Sequence, residues 1–303
     1  MKEIIGFIGL GTMGKPMAER LLQAGYSVVV YDQVFEKIQP LVTGGAQPAS
    51  SSRELAVRAD IIISMLPQPA DIEAVVLGRE GIIQEMGEGK IFIDMSTSSL
   101  DLTQRIHLEV EAKKGEMLDA PVSGGMHRAQ KGTLSLMVGG RKETFLKCDE
   151  IFQVLGENIH YVGKAGNGLL LKLLNNLLYA ANMCAAAEIL ALGEKMGIEL
   201  DRMVDILQGA SAGSYCLHEK ALSYILPGEF DPGFSTALLL KDMGLALDIG
   251  EKAGYIPAFG QLSHKYFSAA RDKGLGGEDN SAIIKLFQVL VESSSSFPNT
   301  NNG

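Results

Sequence analysis

Short apolar runs punctuate the first half of the chain at positions 4–8, 27–31, 61–65, 91–94, 117–119, 134–138 and 159–162. They are rich in Ile and Val and bounded by Gly, Pro, Asp or Ser, which predicts strands. Between the early runs, segments 15–24, 53–58, 69–77 and 100–114 carry apolar residues at helical spacing. Strand and helix alternating at this interval predict βαβ crossovers and a mostly parallel sheet covered by helices on both faces. Beyond Gly163 the strand-like runs stop, and helical patterns fill 168–196, 201–208, 215–226, 236–252, 261–273 and 279–292. The expected organisation is an α/β domain over 1–163, an all-α domain over 164–292 and a frayed tail over 293–303 (SSSSFPNTNNG), which is low in complexity.

The 168–196 segment predicts a helix about 43 Å long at roughly 1.5 Å per residue. It is apolar nearly all round, so it is expected to be covered on most sides and to act as a spine joining the two domains. Lys172, Asn175, Asn176, Asn182 and Glu188 lie within it, which favours a buried core helix over a membrane span. Composition narrows the partners. With 27 Lys and Arg against 36 Asp and Glu, the net charge is −9, and no basic run offsets it. Nucleic acid and anionic membranes are therefore not expected partners. Cys148, Cys184 and Cys216 are odd in number and lack CxxC spacing, as expected of reduced thiols in a cytoplasmic protein. No pair of the five histidines shows ligand spacing, so no metal is expected.

The chemistry starts at Gly9-Leu10-Gly11-Thr12-Met13-Gly14, a GxGxxG between a predicted strand and a predicted helix. In that context Gly9 permits a tight turn, Gly11 admits a pyrophosphate to the backbone, and Gly14 lets helix and strand pack closely. The helix N-terminus supplies amide donors to the phosphates. Asp32 ends the next strand, where a carboxylate can accept from ribose hydroxyls. No cation follows it before Lys37, so NAD is expected over NADP. Other predicted strands end in Leu66-Pro67, in Ser96-Thr97 and in Ser123-Gly124-Gly125, all facing the crevice of a doubly wound sheet. Ser123-Gly124-Gly125 offers a hydroxyl and unhindered amides suited to a carboxylate. Lys172 and Asn176 are four residues apart and share a helix face. Burial disfavours a charged amine, as a proton-transferring lysine requires, although a snorkelling lysine gives the same pattern. Lys241-Asp242 reads by default as an exposed ion pair.

Taken together, GFIGLGTMGKPMA, DAPVSGG, the GxxGxGxxxKxxxN pattern of Gly163, Gly166, Gly168, Lys172 and Asn176, and Lys241-Asp242 resemble the β-hydroxyacid dehydrogenases. That family includes 3-hydroxyisobutyrate dehydrogenase, tartronate semialdehyde reductase and 2-(hydroxymethyl)glutarate dehydrogenase. The resemblance implies a Rossmann-type domain, a long linking helix and a helical domain that forms dimers or tetramers. It also implies hydride transfer between NAD and a small β-hydroxyacid, with Lys172 as general acid/base and Asn176 orienting it or binding substrate. Ser123, Gly124 and Gly125 would hold the substrate carboxylate. Leu66, Pro67 and Thr97 would line the cofactor site, and Lys241 would close over it. The alternatives are an NADP-dependent semialdehyde reductase and, in a different class, a dinucleotide-binding module without catalysis.

Overall fold

In the computed structural model residues 2–293 are described, and all but Ser293 of the expected tail lies outside them. The described residues divide into two units, one up to Leu173 and one from Leu174. The first is built on nine strands: β1 (Ile4–Ile8), β2 (Ser27–Tyr31), β3 (Gln47–Pro48), β4 (Ile61–Ser64), β5 (Ile91–Asp94), β6 (Glu116–Asp119), β7 (Val122–Ser123), β8 (Leu134–Gly140) and β9 (Gly156–Tyr161). Their order is β3-β2-β1-β4-β5-β6-β8-β7, with β9 paired to β8. Strands β1 to β6 run parallel, whereas β8 is antiparallel to β6 and β7. Chain order reverses between β1 and β4, the switch point at which such sheets open a crevice beyond their strand ends.

Period-two alternation between two covered faces explains why the central strands are apolar along most of their length. Ile5 and Phe7 of β1, Ile61 and Ile63 of β4, and Ile91 and Ile93 of β5 enter one core with Met17, Leu21 and Phe152. Ile8, Ile62 and Phe92 point the other way, into a second core with Leu55, Ile72, Val76 and Ile106. A parallel sheet covered on both faces buries nearly all of its inner strands, so β-branched side chains recur up to Ser64 and Asp94, the polar residues that end β4 and β5.

The short elements depart from expectation. Helices Phe35–Thr43, Gly125–Lys131, Lys142–Lys147 and Asp149–Leu155 are additional, as are the two-residue strands β3 and β7. Pro40 inside the first of these helices and the Gly124-Gly125 pair at the start of the second mask helical periodicity over so few residues. Pro48 is accommodated because β3 lies at the end of the strand order, where a missing N–H breaks no ladder.

In the second unit, helices Leu200–Gly209, Thr236–Lys252, Ala258–Asp272 and Ile283–Glu292 pack with the π-helical segment Cys216–Ile225. The expectation for 215–226 was an ordinary helix, and apolar spacing does not distinguish the two windings. Asp279 anchors this unit. Its buried carboxylate accepts from Lys220 Nζ at 2.7 and 2.9 Å, from the Phe234 and Ser281 amides, and from the Ser281 hydroxyl.

The long helix runs Asn167–Lys195 and crosses the division between the units. By length and composition alone it is apolar enough to span a membrane. Leu173, Ala180, Met183, Ala187 and Leu190 along it are buried, as expected of a core helix. Leu174, Leu178, Ile189 and Leu192 are exposed, so the chain itself covers less of this helix than its sequence suggests.

Candidate active site

Gly9 adopts φ +91°, and a Cβ there would stand 2.4 Å from the Met65 carbonyl, so both conformation and space require glycine. At Gly14 a Cβ would meet the Gly9 carbonyl at 1.8 Å, which shows how tightly the helix start is drawn onto β1. A Cβ at Gly11 would meet nothing within 4 Å, so the loop faces open space there. The following helix, Gly14–Gln23, has no side-chain cap at Met13 and no acidic residue in its first turn. Its leading amides are thus suited to phosphate oxygens. A cavity of about 430 Å³ beside the loop is lined by Leu10, Gly11, Thr12, Lys15, Lys37 and Met126. These features fit a dinucleotide.

Asp32 is placed at the end of β2 as anticipated, but its carboxylate also serves the loop. Oδ2 accepts from the Leu10 amide at 2.7 Å and Oδ1 from the Val34 amide at 2.9 Å. Each oxygen retains a lone pair for a ribose hydroxyl. Lys37 Nζ lies 3.9 Å from Oδ1, so the nearest downstream cation stands close to this carboxylate.

Beyond the ends of β4 and β5 a buried network holds the next two segments. Asp94 Oδ1 accepts from Ser64 Oγ at 2.8 Å and from the Ser96 amide at 3.0 Å, while Ser96 Oγ accepts from the Leu66 amide at 3.0 Å. Burial pushes the Asp94 carboxyl above its usual range, and the nearby Asp119 adds to the shift. Leu66 is thereby held directly, and Pro67 and Thr97 are its and Ser96's chain neighbours. Ser96 is marked in the sequence only as part of a strand end, and the role of Asp94 escapes sequence inspection because nothing in the motif spacing marks it. Ser123 closes β7, and Gly124 and Gly125 follow with φ of +131° and +70°. Successive positive φ values turn the two amides out of the strand geometry, which is compatible with an anion nest.

Lys172 is only 8% exposed on the long helix, and Asn176, one turn on, is buried too. In the second unit Asn176 Nδ2 donates to Asp242 Oδ2 at 2.7 Å, and Asn176 Oδ1 accepts from Asn175 Nδ2 at 3.1 Å. Lys241 Nζ stands 3.1 Å from Asp242 Oδ1, an ion pair lying outside hydrogen-bond angles. The expectation of an exposed Lys241–Asp242 pair is corrected: the Asp242 side chain is 4% exposed and that of Lys241 19%. Asp242 is thus a candidate site residue whose tie to Asn176 the Lys241-Asp242 pairing in sequence did not reveal.

Known proteins resemble this chain along nearly its whole length. Residues 4–163 match the family described as the NAD binding domain of 6-phosphogluconate dehydrogenase. Residues 166–287 match the NAD-binding family of NADP-dependent 3-hydroxyisobutyrate dehydrogenase. The chain is 38% identical over 288 residues to 2-(hydroxymethyl)glutarate dehydrogenase of Eubacterium barkeri, covering 95% of each. It is 35% identical over 296 residues to NAD-dependent L-serine dehydrogenase of Pseudomonas aeruginosa, covering 95% of this chain and 98% of that one. Among solved structures, 3-hydroxyisobutyrate dehydrogenase of Mycobacterium tuberculosis with L-serine superposes with a TM-score of 0.86 at 31% identity, covering 95% of this chain and all of the other. A glycine loop shaped for NAD, a buried lysine on a long helix and full-length relatives that are dehydrogenases lead to one conclusion: the chain belongs to the β-hydroxyacid dehydrogenase family and is an NAD(P)-dependent oxidoreductase.

Proposed function

We propose that the protein oxidises the hydroxymethyl group of a small acid of the form HOCH2–CHR–COO− to the aldehyde, and catalyses the reverse reduction. L-serine, 2-(hydroxymethyl)glutarate and 3-hydroxyisobutyrate, named for three relatives, all have this form and differ only in R. The observation that carries the reading is the burial of Lys172 with Asn176 one helical turn away, because an amine is withdrawn from water only where it is partnered or used.

NAD, when bound, supplies the nicotinamide ring that accepts or returns the hydride. The chain does the rest. Lys172 Nζ takes the proton from the substrate hydroxyl during oxidation and gives it back to the carbonyl oxygen during reduction. Asn176, its amide orientation set by Asp242, orients Lys172 or binds the substrate. The Ser123 hydroxyl and the Gly124 and Gly125 amides hold the carboxylate, placing the hydroxymethyl carbon at a fixed distance from it. Residues Gly9, Leu10, Gly11, Thr12, Met13 and Gly14 hold the pyrophosphate, and Asp32 the adenosine ribose. Leu66, Pro67 and Thr97 line the cofactor site, and Lys241 keeps the cofactor role that the family resemblance gives it. We assign 1–163 to dinucleotide binding and 164–292 to substrate binding and assembly as a homodimer or homotetramer. The three buried free thiols fit a cytoplasmic location.

A second reading, an NADP-dependent semialdehyde reductase, is favoured by Lys15 and Lys37 in one cavity, with Lys37 beside Asp32. One experiment tests both: incubate the protein with NAD or NADP and follow reduced-nicotinamide absorbance across a panel of acids. L-serine, glycerate, 3-hydroxyisobutyrate and 2-(hydroxymethyl)glutarate fit the form, whereas 4-hydroxybutyrate and threonate do not. Turnover confined to the last two would overturn the substrate assignment, and turnover with NADP alone would favour the second reading.

A further inference from the structure

We propose that Asp119 is the positioning residue for Lys172, latching the start of the lysine-bearing helix onto the end of β6. This rests on the reading of Lys172 as the proton-transfer group. Asp119 is the last residue of β6 and is 2% exposed. Its Oδ1 accepts from the Gly166 amide at 2.7 Å and its Oδ2 from the Leu169 amide at 2.9 Å. His107 Nε2, on helix Leu100–Ala112, lies 3.3 Å from Oδ1 and supports the carboxylate from another direction.

The glycines of the GxxGxGxxxKxxxN pattern fall into place around this carboxylate. Gly163 and Gly166 turn the chain with φ of +99° and +85°. A Cβ on Gly168 would stand 2.2 Å from the Met137 carbonyl, 2.6 Å from the Asp119 carbonyl and 2.9 Å from Asp119 Oδ2. A Cβ on Gly139 of β8 would stand 2.8 Å from Asp119 Oδ1. Helix, β6 and β8 therefore meet backbone to backbone, with the carboxylate between them. The amides at a helix start have no partner within the helix, and an anion satisfies them with charge-assisted bonds aligned with the helix dipole. Leu169 is three residues before Lys172, so a carboxylate that fixes Leu169 also fixes where the lysine stem leaves the helix. The pattern is a seat for the lysine as well as its address.

Asp119→Asn tests the latch. The carboxamide can accept from one amide but turns an NH2 toward the other, so one bond is replaced by a donor facing a donor. We expect kcat to fall about 10- to 100-fold, the scale of a misplaced reacting group. The pH profile of kcat should move along the pH axis, while the Kd for NAD by calorimetry stays unchanged. Amide hydrogen exchange should quicken at 166–172 and not in β1 or β4. Unchanged kcat, pH profile and local exchange would overturn the latch. So would general loosening, in which NAD affinity and Tm fall with kcat and the pH profile does not move. Lys172→Ala, run beside it, separates the two claims. Full turnover in that variant sinks the reading of Lys172, whereas the exchange measurement still reports on the latch alone. Should Asp119→Asn not fold, His107→Gln removes the side support instead. Faster exchange at 166–172 in that variant supports the latch, and unchanged exchange overturns it.

Discussion

Asn176 Nδ2 donates a 2.7 Å hydrogen bond to Asp242 Oδ2, and both side chains are buried. The contact joins residues 66 positions apart and leaves the Asn176 carbonyl to Asn175. An amide held at both ends has one orientation. Asp242→Ala removes the acceptor and leaves a buried NH2 unsatisfied, at a cost of about 1–3 kcal/mol. We expect kcat/KM to fall about 10- to 100-fold, with the affinity for NAD changed less, if Asn176 acts at the substrate. Steady-state kinetics and calorimetry on the same variant check this, and equal losses in both would remove Asn176 from the substrate's surroundings.

Lys172→Ala should lower kcat by about 10²–10⁴, the usual scale for a positioned proton donor. Dinucleotide affinity should be nearly intact, because the loop at residues 9–14 is untouched. Turnover close to that of the unaltered protein would end the assignment of Lys172 as general acid/base.

For cofactor choice we expect NAD to be favoured over NADP by roughly tens- to hundreds-fold in kcat/KM, the scale of one charge conflict at a partly solvated edge. A 2′-phosphate would meet the Asp32 carboxylate, and Lys37 at 3.9 Å offsets part of that repulsion. Asp32→Asn should shrink the preference, and Lys37→Ala should widen it. Equal kcat/KM with both cofactors in the unaltered protein would show that the carboxylate is committed to Leu10 and Val34 alone.

Asp94 gives a pH-dependent prediction. Its folded-state pKa is raised, so protonated Asp94 is favoured in the folded protein. That contribution is complete below the unfolded value of about 4 and is lost as pH rises through the folded value. The bonds from the Ser64 hydroxyl and the Ser96 amide fall on Oδ1, which an asparagine carbonyl reproduces, while the Ser96 hydroxyl also favours the charged carboxylate. Asp94→Asn should therefore keep the fold and gain Tm relative to the unaltered protein as pH rises from about 4 to neutrality. A difference in Tm that stays constant across that range contradicts the assignment.

Assembly into more than one chain is expected from what this chain leaves uncovered. Phe259 is 80% exposed, Met196 73% and Leu178 65%, large apolar side chains that an interface between chains would cover. Light scattering at micromolar concentration should report more than one chain. Leu178→Glu combined with Phe259→Glu should shift the mass toward a single chain while the far-ultraviolet circular dichroism is retained. A single-chain mass for the unaltered protein would contradict the expectation.

Local pattern was enough for the elements that are long, periodic or covered on both faces. Strands β1, β2 and β5 and helices Pro69–Leu77 and Thr236–Lys252 run between the residues their periodicity marks. The GxGxxG loop was legible for the same reason, because a tight turn between strand and helix imposes its glycines locally. Lys172 and Asn176 were legible as one pair, since a helix turns a spacing of four into proximity. Tertiary structure decided the rest. The burial of Asp242 beside a half-buried Lys241 was decided by packing, and the bonds from Asn176 to Asp242, from Ser64 to Asp94, from Leu66 to Ser96 and from the start of the long helix to Asp119 join residues distant in sequence. A carboxylate in a sequence carries no mark of which backbone amide it will meet. Only closure of the chain, which withdraws these groups from water and leaves a few donors within reach, turns an ordinary aspartate into a support for the site.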